Sequence, residues 1–284
     1  MAEPASLERP EGAAADWTVP QDWPHYTAEE HATWDCLFER QAKLLPARAA
    51  PQFLAGIDVL RLSKPGIPDF DELSERLMQA TGWQVVAVPG LVPDDVFFDH
   101  LANRRFVAGN FIRRPEQLDY LQEPDVFHDI FGHVPLLAHP VFADYMQAYG
   151  KGGQRAQGLG SIANLARLYW YTVEFGLVRS GQGLRLYGAG IVSSHSESVF
   201  ALSDPSPNRI GFDLQRVMRT RYRIDDFQQT YFVIDDFEDL LDKTLHTDFL
   251  PLYRELADAP DIEPDAIVKG DVVLSQGTQL RSRS

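Results

Sequence analysis

Two histidines, His128 and His133, stand five positions apart in the stretch Glu123-Pro124-Asp125-Val126-Phe127-His128-Asp129-Ile130-Phe131-Gly132-His133-Val134-Pro135. Carboxylates lie on either side of the first imidazole, a glycine precedes the second, and prolines stand near both ends. Neutral imidazoles are the commonest protein ligands of divalent metals, so the stretch reads as part of a metal site. On an ideal α-helix each residue advances by about 100°, which would point side chains at i and i+5 roughly 140° apart. The spacing therefore predicts a short helix that ends between the two histidines. Gly132 is a suitable stop, Pro124 is tolerated in the first turn, and Pro135 blocks continuation. His128 then projects from the helix, His133 folds back from the turn after it, and a third ligand has to come from elsewhere.

Among the acidic residues Glu174 is the choice for that third ligand. It lies in Leu168-Tyr169-Trp170-Tyr171-Thr172-Val173-Glu174-Phe175-Gly176-Leu177, a carboxylate inside an apolar and aromatic run. Carboxylates are seldom buried unless paired or bound to a metal, and the competing reading is an interior ion pair with Arg167 or Arg113. Two imidazoles and one carboxylate leave about half an octahedron open, as in non-haem iron oxygenases, and the same set can hold catalytic zinc. A zinc peptidase of the common type spaces its histidines i, i+4 and follows the first with Glu. Here the spacing is five and the following residue is Asp129. Asp129 reads instead as an acceptor that orients an imidazole or a cofactor group.

The elements that must position these residues follow from capping signals and periodicity. Thr27 and Glu30 form a capping box that opens a helix to about residue 45, with Trp34, Leu37, Phe38 and Leu45 on one face. A short helix is expected over 53–59, another over 69–81 closed by Gly82, a strand over 83–88, a helix over 93–103 and an extended segment over 106–113. Beyond the histidines, 141–149 reads as an amphipathic helix running into a glycine- and glutamine-rich loop over 150–160, the place for a lid. The longest apolar-periodic segment, 161–179, reads as one core helix. Residues 184–194 alternate and carry two glycines, a strand that lets a backbone or ligand come close. A short helix at 196–202, a hairpin of 222–226 with 229–234, a helix over 235–249 and a weak strand at 266–274 complete the chain. Residues 1–24, rich in Ala, Pro and Glu, read as a mobile arm whose Trp17 and Trp23 dock at its end. No repeat or composition shift divides the remainder, so 25–284 is expected as one mostly helical domain with small β-sheets, mainly α in an α+β sense.

The 284 residues are 44% hydrophobic and 24% charged, ordinary for a globular protein, and the net charge of −15 argues against a nucleic-acid partner. No apolar run reaches the eighteen or so residues needed to span a bilayer, and no signal peptide is evident, so a cytoplasmic location and no membrane partner are expected. The single cysteine, Cys36, excludes an internal disulfide and reads as a packing residue beside Trp34, Leu37 and Phe38. His25, His31, His100, His139, His195 and His246 have no matching partners and read as surface or satisfied core residues.

With the string at 123–135, Tyr-Trp-Tyr-Thr-Val-Glu-Phe-Gly-Leu at 169–177, Tyr-Gly-Ala-Gly-Ile-Val-Ser-Ser at 187–194 and Phe-Ile-Arg-Arg at 111–114, the chain resembles the pterin-dependent aromatic amino acid hydroxylases, and most closely their bacterial members acting on phenylalanine. The resemblance extends from about residue 85 to 194. It implies that His128, His133 and Glu174 bind Fe(II), and that a tetrahydropterin and dioxygen are consumed while L-phenylalanine is hydroxylated to L-tyrosine. It further implies that Arg113 pairs with the substrate carboxylate, with Ser193 adding a polar contact. Trp170, Phe175, Phe106 and Pro124, with His128, would line the pocket for the substrate ring. Trp170 favours phenylalanine, since tryptophan hydroxylases carry a smaller aromatic there. For the pterin the resemblance points to Val92, Phe97 and Asp129, where Asp replaces the Glu of animal relatives, so a bridging water is expected. The regulatory domain and tetramerising helix of those relatives are not evident, which makes a monomer the expectation. Tryptophan hydroxylation, a zinc hydrolase using the same His/His/Glu set, and a non-catalytic small-molecule binder remain as alternatives.

Overall fold

The computed structural model describes residues 7–119 and 123–279, and the first six residues of the expected arm lie outside it. The chain is mainly helical with two small sheets, and its contacts group it into two compact units. The first comprises the residues up to Arg40 and Ala55–Arg155, and the second Gln41–Leu54 with the residues from Ala156 on.

Helix α1 (Ala28–Leu44) begins at the expected capping box, in which the Thr27 N–H donates to Glu30 Oε2 at 2.7 Å and the Glu30 N–H to Thr27 Oγ1 at 3.2 Å. Trp34 and Leu37 are buried, whereas Cys36 is exposed. Two positions on from Trp34 is about 200° of rotation, so Cys36 falls on the far side of α1 and is not the packing residue expected. Helix α2 (Pro51–Leu60) precedes α3 (Phe70–Thr81), which Asp69 caps by accepting from the N–H groups of Asp71 and Glu72 and which Gly82 ends at φ 75°. Strand β1 (Gln84–Val88), helix α4 (Asp94–Ala102) and strand β2 (Arg105–Gly109) form a βαβ unit, with Val86 opposite Val107 and Ala87 opposite Ala108. The described part of the arm is held against this unit. Trp17 is buried, the Val19 N–H donates to the Ala87 carbonyl at 2.9 Å, and Trp23 Nε1 donates to the Ile67 carbonyl at 2.7 Å.

After a π-helical segment (Phe127–His133) come α5 (Val134–Leu137) and α6 (Pro140–Gln157). The glycine-rich stretch expected to leave the helix as a loop is instead helical through Gln157. A Cβ on Gly150 would stand 2.4 Å from the Ala102 nitrogen, and one on Gly153 2.1 Å from the Phe98 ring. These glycines weaken α6 locally but let it lie directly against α4, and packing overrides propensity.

The second unit holds α7 (Ile162–Tyr169), a second π-helical segment (Trp170–Glu174), β3 (Leu177–Ser180) and β4 (Gly183–Leu186). The segment 161–179 is therefore three elements, not one helix. The expected strand over 184–194 is β4 followed by the short helix α8 (Ala189–Val192). Helix α9 (His195–Ser203), β5 (Asn208–Gly211), α10 (Leu214–Arg219), β6 (Thr230–Ile234), α11 (Phe237–Leu245), α12 (Phe249–Ala257) and β7 (Val273–Ser275) follow. Helix α12 was not foreseen. The sheet runs β4-β3-β6-β5-β7, with β6 parallel to both β3 and β5. Since β6 is wholly buried and paired on both edges, 222–226 cannot join it as a hairpin and forms an irregular loop. Tyr171, Tyr187, Tyr231, Phe232 and Phe237 fill the core of this unit.

Candidate active site

The first group of site residues is built on the segment after β2. The Val126 N–H donates to the Phe111 carbonyl at 2.8 Å, which brings the 123–135 string alongside 111–113. Asp125 is fully buried there. Its Oδ2 accepts from the Arg113 N–H at 2.9 Å and from Arg113 Nε at 2.8 Å, while Oδ1 accepts from Arg113 Nη2 at 2.8 Å and from the His128 N–H at 3.0 Å. Burial by itself pushes the Asp125 carboxyl up, but the Arg113 guanidinium and the backbone donors outweigh it and hold the group below its ordinary value. Asp125 thus orients the arginine expected to bind substrate and the start of the turn that carries His128. Sequence reasoning passed over it, although an Asp three positions ahead of a helical N–H is a capping signal.

The helix does not stop at Gly132. Residues Phe127–His133 are π-helical and lead directly into α5. In a π-helix the bonds run i to i+5, which brings residue i+5 back roughly over residue i, so the spacing that an α-helix forbids becomes the one that works. His128 Nε2 and His133 Nε2 stand 3.3 Å apart, with ring centroids 5.1 Å apart and planes 86° apart. Phe127 and Phe131 stack at 4.8 Å on the buried side, against Trp34 and Phe38, and fix the segment in place. Phe106 is buried with its ring 5.0 Å from that of His133. Asp129, half-buried, accepts the Gly109 N–H through Oδ2 at 2.8 Å. Val92 and Phe97 are half-buried, Phe97 lying 5.9 Å from Phe98, and Pro124 is exposed.

The second group sits on the second π-helical segment, where the Phe175 N–H reaches back five residues to the Trp170 carbonyl at 2.8 Å. Glu174 is half-buried at its end. The Tyr-Gly-Ala-Gly stretch comes up against this backbone. A Cβ on Gly188 would lie 2.4 Å from the Glu174 carbonyl oxygen, and one on Gly190 2.8 Å from the Phe175 ring. The close approach expected of these glycines is thus made by a turn and α8. Trp170 stacks on Tyr222 at 4.3 Å and 16°, and lies 4.9 Å from Phe175. Its Nε1 donates to Gln228 Oε1 at 3.0 Å. Ser193 is buried and its hydroxyl donates to the Ala189 carbonyl at 2.7 Å. Neither Tyr222 nor Gln228 was singled out from sequence, because contacts some fifty residues away in the chain leave no local signal.

In the first unit His128 Nε2 and His133 Nε2 stand side by side as two candidate ligand nitrogens, and in the second Glu174 offers a half-buried carboxylate at the end of its π-helical segment. The histidine nitrogens are spaced much as two adjacent ligands of one ion bonded at about 2.0–2.1 Å each. The donor set, two neutral nitrogens and one anionic oxygen, suits Fe(II) or another borderline divalent ion. The arginines considered as ion-pair partners for Glu174 are engaged by other acids: Arg167 by Asp261 at 2.7 Å and Arg113 by Asp125 at 2.8 Å.

A family profile for biopterin-dependent aromatic amino acid hydroxylases matches residues 13–251. The chain is 66% identical over 270 residues to a phenylalanine-4-hydroxylase of Caulobacter vibrioides, covering 95% of this chain and 92% of that one. It is 64% identical over 264 residues to a phenylalanine-4-hydroxylase of Ralstonia nicotianae, covering 93% and 84% respectively. A crystal structure of Chromobacterium violaceum phenylalanine hydroxylase with iron and phenylalanine bound is similar with a TM-score of 0.88 at 59% identity, covering 92% of this chain and 95% of that one.

Proposed function

The chain belongs to the biopterin-dependent aromatic amino acid hydroxylases, and from that premise we propose that it hydroxylates L-phenylalanine to L-tyrosine with dioxygen and a tetrahydropterin. His128, His133 and Glu174 hold one Fe(II) in this reading. The observation that carries it is the pairing of His128 Nε2 and His133 Nε2 at 3.3 Å on one π-helical segment. Bound iron together with reduced pterin supplies the activation of dioxygen. The relatives named above support phenylalanine as substrate, and the Trp170 indole suits a ring of that size.

The side chains of the protein bind, orient and exclude water. Arg113 binds the substrate carboxylate through its remaining Nη1 donors, and Asp125, which grips Nε and Nη2, removes the freedom the guanidinium would otherwise lose on binding. Ser193 adds a polar contact to the amino acid. Trp170 and Phe175, with Phe106, Pro124 and His128, surround the aromatic ring. Val92 and Phe97 flank the pterin, with Phe97 offering a ring face. Asp129 serves the pterin through a water, a reading supported by its Oδ2 being occupied by the Gly109 N–H.

We also propose that residues 25–284 act as the catalytic domain behind the 1–24 arm, and that the protein works as a cytoplasmic monomer. The single cysteine suits a reducing compartment. Among the described residues no helix is long and apolar enough to cross a membrane. Light scattering of the eluting protein tests the monomer, and a mass of two chains or more overturns it.

The deciding assay offers phenylalanine, tyrosine and tryptophan in turn to purified protein with ferrous iron, reduced pterin and oxygen. Tyrosine formed from phenylalanine only when both iron and pterin are present is the expected result. Amide hydrolysis restored by zinc, with no hydroxylation, would overturn it.

A further inference from the structure

The indole of Trp170 is held from three directions by residues of its own unit. Tyr222 stacks on it at 4.3 Å, Phe175 lies at 4.9 Å, and Gln228 accepts its Nε1–H at 3.0 Å. The ring faces alone would let the indole slide or turn in its plane, whereas a hydrogen bond at Nε1 fixes that last rotation. Gln228 is suited to the task because its own position is determined. It is buried, at 3% exposure, and its Nε2 donates to the Arg223 carbonyl at 2.9 Å, which turns Oε1 towards the indole. Its backbone N–H donates to Glu197 Oε1 at 3.4 Å, and that same oxygen accepts the buried Tyr231 hydroxyl, so a residue of the central strand β6 anchors the loop end. The 221–229 segment is otherwise irregular, with Ile224 left 75% exposed.

We propose that Gln228 is a positioning residue that locks the Trp170 indole in the one orientation that fits the phenylalanine ring. The inference rests on the reading of Trp170 as a wall of the substrate pocket. Gln228 touches neither substrate nor metal in this scheme and acts through the indole, so its loss affects phenylalanine fit while leaving iron content and the pterin KM unchanged.

The test is a double-mutant cycle on the iron-loaded full chain with Gln228→Met, Trp170→Phe and the combination. Phenylalanine KM, pterin KM, kcat and tyrosine formed per pterin consumed are measured for each. Gln228→Met is expected to raise the phenylalanine KM by roughly five- to tenfold, the scale of one lost hydrogen bond, and to lower the yield of tyrosine per pterin. In the Trp170→Phe background, which has no Nε1–H, the same substitution is expected to change the phenylalanine KM by less than about twofold. Effects that simply multiply would overturn the inference. If Gln228→Met does not fold, Gln228→Asn, whose carbonyl is one methylene short of the indole, takes its place with the same expectations. Trp170→Phe altering phenylalanine KM while the Gln228 variants do not would sink the positioning role alone. Trp170→Phe leaving both phenylalanine KM and the preference for phenylalanine over tryptophan unchanged would overturn the reading of Trp170 and the inference with it.

Discussion

At the scale of single residues, each ligand and anchor makes a separable contribution. Glu174→Ala removes the one anionic donor of the proposed metal set and is expected to leave the purified protein with little iron after dialysis, measured by atomic absorption. Full iron retention would show that the carboxylate is not a ligand. Asp125 has a different task. Its carboxylate is fully buried and accepts four N–H donors, three of them from Arg113 and one from the His128 backbone. Asp125→Ala leaves a buried guanidinium without its counter-charge, and about 3–5 kcal/mol of unfolding free energy should be lost in urea titrations. Asp125→Asn keeps the shape and one acceptor, so it should fold while raising the phenylalanine KM more than the pterin KM. Equal effects on both would argue that Asp125 serves the segment as a whole and not Arg113. Neither role is visible in the composition of the string, where Asp125 is one carboxylate among several.

At the scale of elements, the π-helical segment Phe127–His133 is what lets a five-residue spacing bring the His128 and His133 imidazoles together, as the proposed metal set requires. Deleting Gly132 would convert the spacing to four and return the segment to an α-helical ladder, displacing the residues of α5 along the chain. The deletion variant is expected to keep most of its helical circular dichroism and to lose iron. Iron binding at the original level would show that the π-helix is incidental to the site. Helix α6 provides a second case. A side chain on Gly153 meets the Phe98 ring at 2.1 Å from its first carbon, so Gly153→Val should cost about 1–3 kcal/mol through overpacking, read as a lowered urea midpoint with an unchanged slope. A stretch composed like a loop is here a helix because its neighbour needs the room. No variant that treats 150–157 as a tolerant surface loop should succeed.

At the scale of the molecule, acid stability is set in part by a histidine outside the chemistry. His100 is fully buried, and its Nε2 lies 2.8 Å from the Asp16 carbonyl. Burial pushes its pKa below the ordinary 6.5. The Arg105 charge acts in the same direction, while the Asp16 carbonyl and the Asp16 and Asp99 charges oppose it. Between the lowered value and 6.5 the unfolded chain binds more protons than the folded one, so the contribution is complete above about pH 6.5 and is lost as the pH falls. Urea midpoints should therefore drop between pH 7.5 and 5.5, and His100→Gln, which retains a donor for the Asp16 carbonyl, should flatten that drop. An unchanged slope in the variant would mean that other groups carry it. The same contacts tie the described part of the N-terminal arm to α4 and β2, since Arg105 Nη1 also pairs with Asp16 Oδ2 at 3.0 Å.

The sequence by itself determined what depends on near neighbours along the chain. The candidate ligand types, the capping box at Thr27 and Glu30, the helix over 69–81 closed by Gly82, the succession of strand, helix and extended segment over 83–113 and the mostly helical class all follow from patterns within about ten residues, whereas the parallel pairing of β1 with β2 does not. It also singled out His128, His133 and Glu174 as the candidate ligands proposed above, because two imidazoles and an acid in an apolar run are chemically unusual wherever they occur. Tertiary structure decided the rest. It converted the expected helix stop at Gly132 into a π-helical continuation and turned the glycine-rich stretch into a helix. It gave β6 two parallel partners in place of a hairpin, and set Asp125 on Arg113 and Gln228 on Trp170. Each of these is fixed by burial against residues distant in the chain. The free energy of such contacts exceeds the few tenths of a kcal/mol per residue by which local preference separates one backbone form from another.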